Sequence, residues 1–321
     1  MKRLWFGIMV ATALGTSAAP MGILVPGYFD PPGGFWSELN FAATRVPLVA
    51  IMNPNNGPGR TQNPNYVAAV NSLHTAGGHV IGYVSTSYAA RDTNTVKADI
   101  DRYFGFYSVD GIFLDEMTND ANTSHLNYYA SLYQYIQKQG TNLLVIGNPG
   151  INTQEIYLTQ PAADVLVTFE ADAGYPALVG DGWVTNHLAR QFSHLPYNVP
   201  SAAAMTNYIN LAASRNAGWI YVTDDALPNP WDTLPAYWTN EVNYIRSLNL
   251  SAPATQLRVL SVSNRVPSLR ISGAPGTYEL QATSNLATWF PLATVSTATS
   301  AVSVRDTSAT NSSGRLYRTR Q

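Results

Sequence analysis

Gly111-Ile112-Phe113-Leu114-Asp115-Glu116 and Asp164-Val165-Leu166-Val167-Thr168-Phe169-Glu170 decide how this chain is read. Each is an apolar, β-type run that stops abruptly at carboxylates. A strand buried on both faces reads as a near-continuous apolar stretch, which is the mark of a parallel sheet. An acid closing such a strand stands at the C-terminal rim, where barrels of alternating strands and helices carry their active sites. One strand-end acid is ordinarily a helix cap or an ion-pair partner. Two in one chain point to paired carboxylates, the equipment of glycoside hydrolysis.

Strand-like runs recur around these two: Gly22 to Phe29, Val46 to Met52, His79 to Ser85, Val109 to Leu114, Asn142 to Gly147, Asp164 to Phe169, Gln191 to Tyr197 and Gly218 to Thr223. Amphipathic stretches lie between them, at Tyr66 to His74, Val96 to Tyr107, Leu126 to Gln137 and Tyr237 to Ser247, with Gly77-Gly78 and Gly140 as stops. Eight strands alternating with helices over roughly 230 residues is the size and rhythm of a (β/α)8 TIM barrel. The competing doubly wound sheet brings a Gly-rich phosphate loop after its first strand. Here that loop is Asp30-Pro31-Pro32-Gly33-Gly34, and its prolines suit a rigid rim loop better.

Lys2 and Arg3, the short apolar run Leu4 to Leu14, and Ser17-Ala18-Ala19 before Pro20 form a secretory signal peptide pattern over residues 1–19. The run is too short for a membrane span, and no later stretch offers a transmembrane segment. The expectation is a secreted, extracellular protein. It has no cysteine, so it uses neither disulfides nor thiol chemistry, and a large domain can fold without such staples. Residues 20–250 carry nine basic and eighteen acidic side chains, whereas the residues after Leu250 carry seven Arg, no Lys, and only Glu279 and Asp306 as acids. That shift, with Ser251-Ala252-Pro253-Ala254, marks a linker at 251–256. From 257 to 321 short alternating strands separated by turn signals predict a small all-β sandwich. The acidic body leaves no footprint for nucleic acid.

At the rim the chain resembles the spherulin-4 family, also called spherulation-specific family 4. The resemblance rests on Ile51-Met52-Asn53-Pro54-Asn55-Asn56-Gly57-Pro58-Gly59, Gly82-Tyr83-Val84-Ser85-Thr86-Ser87-Tyr88, Val109 to Met117, Asn148-Pro149-Gly150, Val167-Thr168-Phe169-Glu170 and Ile220-Tyr221-Val222-Thr223-Asp224-Asp225. It implies a TIM-barrel glycoside hydrolase, endo-acting on α-1,4-linked galactosamine or N-acetylgalactosamine polymers. The family's acidic positions fall on Asp115, Glu116 and Glu170.

Asp115 is expected to be the nucleophile or ionised stabiliser, Glu170 the general acid/base, and Glu116 a neighbour that positions or tunes them. Adjacent strand residues point to opposite faces, so a regular strand cannot aim both Asp115 and Glu116 inward, and parity leaves the choice open. Strand-end aromatics Tyr28, Trp36, Tyr83, Tyr88, Tyr175, Tyr197 and Trp231 are candidate sugar platforms. Asn53, Asn148, Asp172, Asp224 and Asp225 are candidate partners of sugar hydroxyls or amines, although turn and cap roles compete for each. The five histidines show no metal-ligand spacing, with His187 assigned to a helix, and no cofactor motif is present. The expectation is a metal-free, cofactor-free monomer acting on a polysaccharide or oligosaccharide. A non-catalytic carbohydrate-binding barrel is the alternative.

Overall fold

The computed structural model describes residues 20–320 except 141, 252–255, 265, 274–275, 298–300 and 312–314. The signal peptide expected at 1–19 lies outside the described residues. Eight strands form a closed parallel barrel in chain order: β1 (Gly22–Gly27), β2 (Leu48–Met52), β3 (His79–Ser85), β4 (Gly111–Asp115), β5 (Leu144–Gly147), β6 (Val165–Ala171), β7 (Phe192–Pro196) and β8 (Trp219–Ile220). The ring closes where Gly22 and Ile23 pair with Trp219 and Ile220.

The barrel is ringed by α1 (Phe35–Ala43), α2 (Pro64–Thr75), α3 (Thr93–Phe106), α4 (Thr123–Gln137), the one-turn α5 (Ile156–Thr159), α6 (Ala202–Ser214) and α7 (Trp238–Ser251). Asn63, Asp92, Asn122 and Ser201 start α2, α3, α4 and α6 by accepting from first-turn N–H groups, which satisfies donors the helix leaves open. Each of these helices buries one face at helical spacing, such as Tyr129, Leu132 and Ile136 on α4. Close packing explains two strand glycines. A Cβ on Gly82 would sit 2.5 Å from the Tyr103 ring on α3, and one on Gly111 would sit 1.9 Å from the Leu144 carbonyl oxygen.

The observed elements shift some expected boundaries. β4 includes Asp115 and β6 runs through Glu170 to Ala171, so both acids are held by ladder geometry and not by loops. β8 is shorter than its apolar run: the Val222 N–H leaves the ladder and donates to the buried Glu241 carboxylate of α7 at 2.9 Å. Between β6 and β7 the chain makes 3-10 turns and no α-helix, and His187 sits in a bend; Gly174, Pro176, Gly180 and Gly182 punctuate that segment too often for a helix to propagate. Pro31–Gly33 forms a 3-10 turn leading into α1, one of three helices, with α5 and α6, that the amphipathic stretches did not reveal. Ser251 still belongs to α7 and Gln256 already to β9. The linker expected at 251–256 is thus shorter, and 252–255 lie outside the described residues.

The C-terminal strands are β9 (Gln256–Ser263), β10 (Val266–Ser272), β11 (Gly276–Thr283), β12 (Phe290–Thr297), β13 (Ala301–Arg305) and β14 (Leu316–Arg320). They build two three-stranded antiparallel sheets, β13-β10-β9 and β12-β11-β14. Leu269 and Ile271 of the first meet Tyr278 and Leu280 of the second in a small separate core, which is a sandwich.

Candidate active site

Strand register collects the site. Tyr83 pairs with Phe113, and Ser85 with Asp115. Gly82 faces the outer helix α3, so its neighbours in alternation, Tyr83 and Ser85, turn toward the barrel axis, and Asp115 turns with them. The Tyr83 and Phe113 rings stack with centroids 6.4 Å apart, and Tyr28, just past β1, meets Tyr83 edge-on at 5.5 Å. Tyr83 and Phe113 lie two residues before Ser85 and Asp115 on the same strand faces, one layer below them.

Glu116 resolves the parity question left open by the sequence. Its φ is 53°, in the left-handed region that a non-glycine residue enters at a cost of about 1 kcal/mol or more. The distortion breaks strand alternation, so Glu116 does not point away to the helices. One carboxylate oxygen, Oε2, accepts from the Ser85 hydroxyl, from the Ser87 N–H at 3.2 Å and from the Ser87 hydroxyl at 3.4 Å. The strained backbone is pinned by the Thr86 hydroxyl, which donates to the Asp115 and Glu116 carbonyls at 2.8 and 2.9 Å, and by the Tyr88 N–H at 2.8 Å from the Glu116 carbonyl.

Asn148, one residue past β5, connects the other two acids. Its amide Nδ2 donates to Asp115 Oδ1 at 2.7 Å and to Glu170 Oε2 at 2.5 Å. Two such bonds from one nitrogen keep those oxygens within about 5 Å of each other, the carboxyl spacing of retaining glycosidases. Asn148 is itself fixed: its N–H donates to the Leu114 carbonyl and its carbonyl accepts from Met117, both at 2.9 Å.

Burial raises the Glu170 pKa to about 7, the Asp115 charge adds to the rise, and the Asn148 amide opposes it. Burial also raises Asp115, but hydrogen bonds from Asn148, the Glu116 N–H and Tyr83 pull it back, and Glu116 raises it again by like charge. Two neighbouring carboxyls with different donor sets are how a site separates an acid from a base.

The remaining candidates divide. Tyr88 is 61% exposed on the rim, its N–H bonds the Glu116 carbonyl, and its phenol is raised by burial and then by Glu116, Asp115 and Glu170. Asp172 is exposed beside Tyr197, whose phenol is raised by burial and then by Asp172 and Glu170. Tyr175 is not a platform: it is 1% exposed, its hydroxyl bonds His194 at 2.8 Å and its ring lies under Arg215. A ring packed on both faces has no surface left for a sugar. Asn53 closes its own loop by accepting from the Gly57 N–H at 2.6 Å. Asp224 accepts from the Ala236 N–H at 3.1 Å and Asp225 from the Thr233 hydroxyl; both organise the segment after β8. Residues the sequence did not nominate are Ser85 and Ser87, which hold Glu116. The signal for Ser85 was its matching parity across the ladder from Asp115. No group of three or more potential metal ligands occurs among the described residues, and no described helix is long and apolar enough to cross a membrane.

Residues 22–245 match the family described as Spherulation-specific family 4. Spherulin-4 of Physarum polycephalum is 35% identical over 247 residues, covering 73% of this chain and 73% of that protein. The chain belongs to the spherulation-specific family 4. The crystal structure of Aspergillus clavatus Sph3 in complex with GalNAc superimposes with a TM-score of 0.63 at 24% identity, covering 72% of this chain and 99% of that one. The family match spans the barrel from β1 into α7, and with it every strand end that carries a candidate residue.

Proposed function

We propose that this spherulin-4 family member is a secreted, endo-acting glycoside hydrolase that cuts an amino-sugar polysaccharide of the galactosamine or N-acetylgalactosamine type. The observation that carries the reading is the pair Asp115 and Glu170, tied to one Asn148 amide at the mouth of the barrel. The GalNAc bound by the similar Aspergillus clavatus Sph3 supports the sugar class.

In this reading Asp115 attacks the anomeric carbon as the C–O bond to the leaving sugar breaks, and protonated Glu170 gives its proton to the departing oxygen. Water then attacks the glycosyl-Asp115 ester, Glu170 takes up the water proton, and Asp115 leaves as a carboxylate. Oxygens held within about 5 Å of each other, below the roughly 6.5–9.5 Å separation of inverting enzymes, support retention of the anomeric configuration. A pKa near 7 lets Glu170 serve as acid and then as base near neutrality. Tyr88 and Tyr28 offer ring faces to sugar planes, and Asp172 an acceptor for hydroxyl or amine.

The test is incubation with acetylated and deacetylated galactosamine and glucosamine polymers, reading new reducing ends and the anomer of the fresh product by NMR. Release of retained-configuration oligomers from a galactosamine-type polymer is expected. Tight binding of a polymer with no new reducing ends would establish the alternative, a carbohydrate-binding barrel that does not cut.

A further inference from the structure

Asn148 is 7% exposed and spends both amide protons on acids of two different strands, while its own carbonyl oxygen Oδ1 is buried with no hydrogen-bond partner among the described residues. Leaving a buried acceptor unpaired is costly. Rotating the amide would set Oδ1 against Asp115 Oδ1 and Glu170 Oε2, oxygen against oxygen, so the carboxylates hold the amide in this orientation despite that cost.

We infer, on the hydrolase reading above, that Asn148 is a positioning residue that dictates which oxygen of Glu170 carries the catalytic proton and keeps Asp115 ionised beside it. A carboxylic acid accepts a hydrogen bond better on its carbonyl oxygen than on its hydroxyl oxygen. The Asn148 N–H on Oε2 therefore makes Oε2 the carbonyl oxygen and places the proton on Oε1. No group among the described residues donates to Oε1, and it is the oxygen left to face the leaving group. The second N–H of the same amide stabilises the negative form of Asp115. The amide favours the ionised form of both acids, while Tyr83 and the Glu116 N–H donate to Asp115 alone, so Asp115 ionises first and Glu170 keeps its proton on the oxygen that Asn148 leaves free.

The other titratable groups facing the pair are Glu116 at the end of β4, Tyr83 on β3, Tyr88 in the loop after it, Tyr28 after β1, and Asp172 and Tyr197 after β6 and β7. The tyrosines are all raised and stay neutral at physiological pH. Neither acidic neighbour supplies a proton donor to both members of the pair.

Two measurements test this in Asn148→Ala and in the shape-matched Asn148→Leu, each confirmed folded by circular dichroism. The first needs no substrate: 13C NMR titration of the Asp115 and Glu170 carboxyls. Both titrations should move upward relative to the parent, because a donor to each charged form is gone. The second compares aryl glycosides of good and poor leaving groups. Read at a pH above the variant's Asp115 titration, the loss should be roughly 10²-fold on poor leaving groups, which need the proton, and far smaller on good ones, which do not. Unmoved titrations in a folded variant, or equal losses on both substrate types, would overturn the assignment. If the parent cleaves nothing, the hydrolase reading fails by itself, and the titrations still decide the role of Asn148.

Discussion

Strands β4 and β6 each carry a carboxylate at both ends, and the two ends of the barrel treat them in opposite ways. At the N-terminal end, Asp110 accepts from the Val80 N–H at 2.7 Å and from His74 at 2.8 Å, and Asp164 accepts from the Val145 N–H at 2.8 Å and the Tyr133 hydroxyl at 2.9 Å. Each thereby satisfies the first free donor of a neighbouring strand, which is work a carboxylate does for the fold. At the C-terminal end, Asp115 and Glu170 share the amide of Asn148, with Glu116 pressed close by a strained backbone. Acids that cap strand ends are anchored by the backbone; acids placed together near one donor are destabilised by each other. The same residue types at opposite strand ends thus meet different surroundings: backbone donors at one end, a shared amide and each other's charge at the other.

Replacing the upper acids should break activity hardest. Asp115→Asn and Glu170→Gln nearly preserve shape, so each should fold and lose about 10³–10⁴ in kcat on any polymer the parent cuts. Glu116→Gln should lose far less, because Ser85 and Ser87 still hold its side chain. A folded Glu170→Gln enzyme with near-parent turnover would remove Glu170 from the chemistry.

Stability should separate the two ends with opposite sign. An unfolded glutamate ionises near 4.5, whereas burial holds Glu170 at about 7. Between those values the folded state binds more protons than the unfolded one, so Glu170 costs stability as pH rises through that window, and the cost persists above it. Glu170→Gln cannot ionise. Its stability relative to the parent, from urea unfolding, should therefore improve by about 2–3 kcal/mol between pH 4 and pH 8. Asp164→Ala should do the reverse, losing about 1–3 kcal/mol through the orphaned Val145 N–H with kcat per folded molecule unchanged. A catalytic defect in folded Asp164→Ala would erase the distinction between the ends. The smallest effect belongs to Tyr88→Ala on the exposed rim. It should raise KM a few-fold, since one stacked ring contributes about 1 kcal/mol, with little change in kcat.

The barrel was legible because parallel strands are buried on both faces and announce themselves as apolar runs. The pattern failed where apolar character and pairing part company. Val222 is as apolar as its neighbours, yet its N–H goes to Glu241 and leaves the ladder. It failed again between β6 and β7, where glycines and a proline substitute 3-10 turns for a helix. Tyr175 looked like a rim aromatic because it follows β6 closely in sequence, but its turn folds it inward beneath Arg215.

What the sequence determined by itself is the set of acids and their place on the rim. An apolar run that ends in a carboxylate places that acid on the C-terminal rim of a parallel barrel, and the family match covers both runs. Only the tertiary structure decided how those acids relate. The left-handed backbone of Glu116, Ser85 and Ser87 that restrain it, and the Asn148 amide joining β4 to β6 involve contacts across 22 to 33 residues of chain. Strand alternation constrains direction only within one strand. The spacing of two carboxyls, and therefore their ionisation, is set by what packs between strands.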